Sequence, residues 1–183
     1  STGLGLAIAI GLAQAGYDLA LTDLDAAMLK DALKQPDIAK RKTVAISLDL
    51  RSQDSIKAAF DTAWKELGPL DLLVNNAGRA LLRPVVDVSE AEWDDVIGIN
   101  LKGAFFLSQL FGRANIAASR PGAIVSMAST HGMTGIAGRS VYGISKAGLI
   151  QMTRMLAIEW ADRNIRVNAV APTTGMTLSL IHI

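Results

Sequence analysis

The 183-residue chain has no cysteine and only two histidines, His131 and His182. The first absence excludes disulfides and thiolate metal sites, and the second leaves too few imidazoles for a clustered zinc site. A cytoplasmic setting is expected on the same ground. Charge of one sign is lacking as well: 18 basic residues stand against 17 acidic ones, a formal net charge of +1. No segment gathers Lys and Arg into a patch that could track phosphates, so nucleic acid is not an expected partner. No apolar run reaches the roughly 20 residues of a membrane-spanning helix. The uncharged stretch Ser1 to Tyr17 is shorter than that, holds Gly3, Gly5, Gly11 and Gly16, and lacks the basic region of a leader. It reads as a buried helix.

Half of the residues are hydrophobic, enough for one sizeable core, so a single globular domain is expected over 1–177. The last six residues, 178–183 (LSLIHI), read like a translated sequencing adaptor and are expected to be foreign to the protein. His182 falls within them and is expected to have no function in the protein.

Along the chain, short apolar strands alternate with helices. Leu4 to Ala15 reads as a helix stopped by Gly16, Leu19 to Thr22 as a strand ending at Asp23, and Ala26 to Leu33 as a helix broken at Gln35-Pro36. Thr43 to Leu48 is a strand, Ser52 to Leu67 an amphipathic helix with Ile56, Phe60 and Trp64 at helical spacing, and Leu70 to Val74 a buried strand. Ser89 with Glu92 three residues on is a capping-box pattern opening a helical stretch to Ala118. Ala123 to Met127, Ser140 to Ala161 and Ile165 to Val170 complete the alternation as strand, helix and strand. Alternation of this kind implies crossovers between parallel strands and a doubly wound, Rossmann-like α/β sheet with helices on both faces.

In such a sheet, ligands bind at the carboxyl ends of the strands. The polar groups there are few: Asp23, Asp49, the run Asn75-Asn76-Ala77-Gly78, Ser129 and the segment after Val170. Gly3-Leu4-Gly5 opens the first helix, where glycine lets backbone approach a pyrophosphate and the helix terminus favours its charge. Asp23 lies where a carboxylate can hold both ribose hydroxyls of an adenosine and repel a 2′-phosphate, and Thr2 supplies no arginine to attract one. The expected cofactor is thus NAD rather than NADP, while Asp23 can equally serve as the cap of the next helix. Tyr142 and Lys146, four apart, share one helix face. Ser129 follows a strand beside that helix, and Asn100 falls in the preceding helical stretch.

These residues in this order resemble the short-chain dehydrogenase/reductase family. The family's T-G-x-x-x-G-x-G loop is matched in its last five positions by Ser1-Thr2-Gly3-Leu4-Gly5, its N-N-A-G motif by Asn75 to Gly78, and its Y-x-x-x-K motif by Tyr142 to Lys146. Ser129 matches the active-site serine and Asn100 the fourth catalytic residue. On this resemblance the chain is expected to lack the first strand and the C-terminal part of the fold. The family's P-G after the sixth strand appears here as Pro172-Thr173, with Thr177 the candidate for the threonine that touches the nicotinamide carboxamide. The resemblance further implies that Asp49 and Leu50 border the adenine and that Asn76, Ala77 and Gly78 line the adenosine ribose. Lys146 would hold the nicotinamide ribose. No family motif matches His131, which reads as a loop residue.

The chemistry is physically consistent with those roles. An ordinary phenol titrates near about 10, and bringing one to neutrality needs on the order of 4 kcal/mol, roughly what an ammonium at about 4 Å supplies at an effective dielectric of 20. Lys146 is expected to stabilise the phenolate of Tyr142, Ser129 to hold the substrate oxygen, and Asn100 to hold a water that relays protons from Lys146. The expected protein is an oxidoreductase moving a hydride between NAD(H) and a small secondary alcohol or ketone, assembled as a homo-oligomer through its long apolar helices. Two alternatives stand beside it: a dinucleotide-binding sensor without catalysis, and a 3-oxoacyl-carrier-protein reductase-like enzyme using NADPH.

Overall fold

The computed structural model describes residues 3–173. Those residues gather into two compact units, the first built mainly from the chain up to Asp49 together with Asp54–Leu70, the second from Leu50–Gln53 and the chain from Asp71 onward.

In the first unit, helix α1 (Leu4–Gln14) leads to strand β1 (Leu19–Asp23). Two one-turn helices follow, α2 (Lys30–Leu33) and α3 (Pro36–Ala39), then strand β2 (Thr43–Ser47) and helix α4 (Gln53–Leu67). β1 and β2 pair in parallel, Leu19 opposite Thr43 and Asp23 opposite Ser47. Three local expectations change. The helix expected from Ala26 begins as a 3-10 turn, Ala26–Leu29, before α2. Pro36 does more than end it: proline's fixed φ suits a first helical position, and it starts α3. α1 is not wholly buried. Ala9 and Ala13, one turn apart, pack with Leu19 and Ile38, while Leu4 stays 48% exposed. A helix apolar all round has only one stripe covered in this unit. On α4 the buried stripe is Ile56, Ala59, Phe60 and Ala63, with Trp64 half-buried and its ring 5.8 Å from that of Phe60.

The second unit holds a three-stranded parallel sheet in the order β3 (Leu72–Asn75), β4 (Gly122–Met127), β5 (Ile165–Val170). Between β3 and β4 run α5 (Glu90–Ile97), a π-helical segment Gly98–Gly103 and α6 (Ala104–Ala117). Helix α7 (Ser140–Glu159) crosses from β4 to β5. Every strand pairing is parallel and every connection helical, which is the Rossmann-like α/β arrangement the alternation predicts. Its strands form two hydrogen-bonded sheets, β1-β2 and β3-β4-β5. Ile124 of β4, Phe111 of α6 and Leu149 of α7 are fully buried between the layers.

The capping box forms as expected. The Ser89 hydroxyl accepts from the Glu92 amide at 3.3 Å, and the Glu92 carboxylate accepts from the Ser89 amide at 3.0 Å. Arg83 joins it at 2.6 Å. These hydrogen bonds, those to Ser89 foremost, hold the Glu92 carboxyl below its usual range. Ser89→Ala is expected to cost about 1 kcal/mol of stability, read as a lower urea midpoint with an unchanged far-UV spectrum; an unshifted midpoint would show that the cap contributes nothing.

Candidate active site

Because the three strands of the second unit are parallel, their carboxyl ends share one edge, and the polar residues that follow them meet there. At the end of β3, Asn75 is buried and its amide donates to the hydroxyls of Ser108 at 3.0 Å and Ser126 at 3.3 Å. The first asparagine of the pair is thus structural, tying β3 to α6 and β4. The chain turns at Asn76, whose amide donates to the Val74 carbonyl at 3.1 Å, and proceeds to Ala77 and Gly78.

Asn100 sits in the π-helical segment, a local widening that is uncommon and often found at functional sites. It is 1% exposed. Its Nδ2 donates to the Arg79 carbonyl and to Ser145 Oγ, both at 2.9 Å, and its Oδ1 accepts from the Arg79 amide at 2.7 Å. Ser145 in turn donates to the Tyr142 carbonyl at 2.7 Å. Asn100 therefore clamps the loop after β3 to helix α7, and both of its amide protons are committed. Only its acceptors are left to hold a water.

Lys146 lies one turn beyond Tyr142 on the inner face of α7 and is 4% exposed. Its Nζ donates to the Met127 carbonyl at the end of β4, at 2.6 Å, and stands 5.7 Å from the centroid of the Tyr142 ring. Among the described residues no carboxylate pairs with it. Burial pushes its pKa down to about 8. A Cβ at position 78 would come within 3.3 Å of Nζ and 3.5 Å of Asn100 Oδ1, so glycine there keeps one face of the ammonium open. An ammonium with donors to spare beside an uncrowded backbone suits the ribose hydroxyls of a dinucleotide.

Ser129, two residues past β4, is 6% exposed and in extended conformation. Its hydroxyl accepts from the His131 amide at 3.2 Å and lies 3.1 Å from His131 Nδ1. The His131 ring meets Tyr142 edge-on, with centroids 5.7 Å apart. The next amide, of Thr130, donates to the Pro172 carbonyl at 3.1 Å, which ties the Ser129 turn to the end of β5. The structure thus brings Asn100, Ser129, Tyr142 and Lys146 to one edge, with Gly78 and Pro172 beside them. Leu50, also in this unit, is buried, and its carbonyl oxygen and Cβ pack so closely on Gly103 that a Cβ there would collide with both.

In the first unit, Gly3 precedes α1 with φ of 72°, a left-handed conformation that suits glycine, and Leu4 and Gly5 form the first turn. Asp23 closes β1, with its carboxylate accepting from the Leu24 amide at 2.9 Å. Asp23 does not cap the following helix. That role belongs to Asp25, whose carboxylate accepts from the Ala27 amide at 2.8 Å. The Asp49 amide donates to Ser55 Oγ at 2.9 Å. Thr2 and Thr177 lie outside the described residues.

Comparison with known proteins agrees with this geometry. The family described as short chain dehydrogenase matches residues 1–180. The chain belongs to that family. The 2-dehydro-3-deoxy-D-gluconate 5-dehydrogenase of Escherichia coli is 39% identical over 93% of the chain and 67% of its own length. An NAD-dependent glycerol dehydrogenase of Listeria innocua is 36% identical over 97% of the chain and 68% of its own length. A candidate short-chain alcohol dehydrogenase of Sinorhizobium meliloti superposes with a TM-score of 0.91 at 43% identity, covering 96% of this chain and 69% of that one. The chain is accordingly an oxidoreductase of the short-chain dehydrogenase type, acting on alcohol or keto groups with a nicotinamide dinucleotide. No helix among the described residues is long and apolar enough to cross a membrane, and no group of metal-binding side chains occurs among them.

The buried ammonium predicts a pH dependence. Lowering the Lys146 pKa from 10.5 to about 8 corresponds to about 3 kcal/mol of destabilisation carried wherever the lysine is charged. Between about pH 8 and 10.5 the unfolded chain binds this proton and the folded one does not, so the contribution to stability rises with pH across that window. Lys146→Met, similar in shape and uncharged, should exceed the parent in stability at pH 7 and lose that advantage by pH 10.5. Urea denaturation of both proteins at the two pH values measures it; an advantage independent of pH would mean that the lysine is not buried as a cation.

Proposed function

We propose that this protein interconverts a small secondary alcohol and its ketone with NAD(H), using Tyr142 as general acid and base. The observation that carries the reading is the buried ammonium of Lys146, with no carboxylate partner among the described residues, lying one turn from Tyr142 and against Gly78. In the oxidative direction the Tyr142 phenolate takes the proton of the carbinol hydroxyl. Lys146 holds the phenolate in its charged form by proximity. Ser129 holds the substrate oxygen as it becomes a carbonyl, and an acceptor of Asn100 holds the water through which the proton leaves by way of Lys146. A bound nicotinamide would supply the hydride acceptor for the carbinol carbon.

Cofactor contacts in this proposal follow the elements. Thr2, Gly3, Leu4 and Gly5 take the pyrophosphate at the start of α1, and Asp23 takes the adenosine ribose. Asp49 and Leu50 border the adenine, while Asn76, Ala77 and Gly78 line the ribose. Tyr142 and Lys146 hold the nicotinamide ribose, with Pro172 and Thr177 at the nicotinamide itself. The carboxylate at the end of β1 favours NAD because it repels a 2′-phosphate. A homo-oligomer in the cytoplasm completes the reading. Its support is the unpartnered apolar face of α6 and α7, where Phe105, Met155 and Ile158 are 40%, 55% and 78% exposed.

Tyr142→Phe is expected to lower kcat about 10²- to 10⁴-fold with secondary alcohols while NADH binding, followed by fluorescence, persists. Near-parental turnover would sink the assignment, and a parent that binds NADH but turns over no alcohol or ketone would favour the sensor. Asp23→Ala should shift the ratio of NAD to NADP efficiency toward NADP by about tenfold or more, the few kcal/mol at stake in a charge contact. An unchanged ratio would favour the NADPH-using reductase. On light scattering after size exclusion, Ile158→Glu should convert an oligomer to a smaller species.

A further inference from the structure

The Ser129–His131 turn is held against α7 at unusually close range. A Cβ at Gly132 would stand 2.7 Å from the Ala147 amide nitrogen and the Lys146 carbonyl carbon, and one at Gly143 would stand 3.0 Å from the His131 carbonyl oxygen. Two side chains are absent where turn and helix meet, so the turn seats directly on helix backbone. Seating it there puts the His131 imidazole between Ser129 and Tyr142, 3.1 Å from the hydroxyl of one and edge-on to the ring of the other.

The hydroxyl of Ser129 has one proton and two lone pairs. The His131 amide uses one lone pair, at 3.2 Å. What Nδ1 does then decides the polarity of the serine. If Nδ1 accepts the hydroxyl proton, Ser129 has no donor left for a substrate oxygen. If Nδ1 carries a proton and donates, both lone pairs are filled and the hydroxyl proton is free to point outward. Only the second arrangement lets Ser129 donate to a ketone or to a developing alkoxide.

We propose that His131 is a positioning residue in its Nδ1–H form, holding Ser129 Oγ through ring and backbone nitrogen so that the serine proton faces the substrate oxygen, while its ring edge fixes the plane of Tyr142. The proposal rests on the oxidoreductase reading above. It adds a residue that no family motif supplies, and it makes the serine an obligate donor. Substrates are therefore held through an oxygen that accepts from Ser129, as a ketone does, and as a carbinol does while its own proton goes to Tyr142.

The test separates the ring from its nitrogen. His131→Phe keeps an aromatic edge against Tyr142 and removes the donor; His131→Asn keeps an amide N–H near the Nδ1 position and removes the ring. With a secondary alcohol, His131→Phe should lose about tenfold in kcat, the size of one hydrogen bond, with the KM for dinucleotide and the melting temperature unchanged. His131→Asn should retain at least about a third of kcat, a loss smaller than one hydrogen bond. A His131→Phe enzyme as fast as its parent overturns the proposal, as does an equal loss in both variants accompanied by a lower melting temperature.

A second measurement needs no turnover. The chain has two histidines, so His131→Asn assigns the ring-nitrogen resonances by deletion. In the parent, neutral His131 should carry its proton on Nδ1, and Ser129→Ala should shift it toward the Nε2–H form preferred in water. Finding the Nε2–H form in the parent overturns the proposal whatever the enzyme turns over. A parent without alcohol or ketone turnover whose His131 is Nδ1–H would instead reject the oxidoreductase reading and keep the hydrogen bond.

Discussion

Placing an ammonium where it is almost wholly buried is the constraint around which the second unit is organised. Lys146 carries a cost of about 3 kcal/mol relative to a solvated lysine, a large share of a domain's net stability. No carboxylate among the described residues offsets it. What it has is the Met127 carbonyl at the end of β4. That hydrogen bond holds the charge at the carboxyl edge of the sheet, and the three- and four-residue spacing along α7 puts Tyr142 and Ser145 on the face that holds Lys146. Replacing the carbonyl by an acidic side chain would relieve the cost and neutralise the charge, defeating its use on a neighbouring phenol.

The other polar groups at this edge are arranged so that few degrees of freedom survive. Asn100 spends both amide protons and one lone pair on Arg79 and Ser145. Ser145 donates its hydroxyl hydrogen bond to the Tyr142 carbonyl, and Ser129 is bound by ring and backbone of His131. Buried polar networks of this kind hold side chains within the narrow tolerance that proton transfer requires. The π-helical segment belongs to the same design. An α-helical turn at Gly98–Gly103 would rotate Asn100 relative to the helices on either side, and the wider turn lets one residue point inward between α5 and α6.

Much of this was legible in the sequence, for particular reasons. Strand ends and helix faces follow from apolar periodicity, and the Ser89–Glu92 cap from local chemistry alone. Ser129 could be placed because parallel strands bring their carboxyl ends together, whereas Tyr142 and Lys146 joined it through their spacing on one helix face and the resemblance to the short-chain dehydrogenase/reductase family. What was not legible depended on geometry finer than periodicity. Asp23 and Asp25 both precede the same helical turn, and only backbone conformation decides that Asp25 caps it. Asn75 and Asn76 look alike in sequence, yet alternation along β3 buries the first against Ser108 and Ser126. Ser145 carried a signal that could have been used: a small hydroxyl residue three after Tyr142 on the same inner face. His131 carried only its nearness to Ser129 in the chain, since its proposed role comes from two close approaches of turn to helix that periodicity does not contain.

The same energetics weigh enzyme against sensor. A module that only reports dinucleotide needs donors for ribose and phosphate, and exposed hydroxyls or backbone amides supply them at little cost to folding. A buried, carboxylate-free lysine is a poor choice for that task, because binding energy gained from it must first recover its desolvation. It becomes worthwhile where its field acts on a second ionisable group in the same low-dielectric setting, since there a charge 4–6 Å away changes a proton affinity far more than it would in water. Tyr142 lies on the same helix face, with its ring centroid 5.7 Å from Lys146 Nζ, and is the group on which the proposed chemistry would use that charge. The stability withheld at Lys146 therefore supports the proposed acid-base role more than a role in dinucleotide recognition alone.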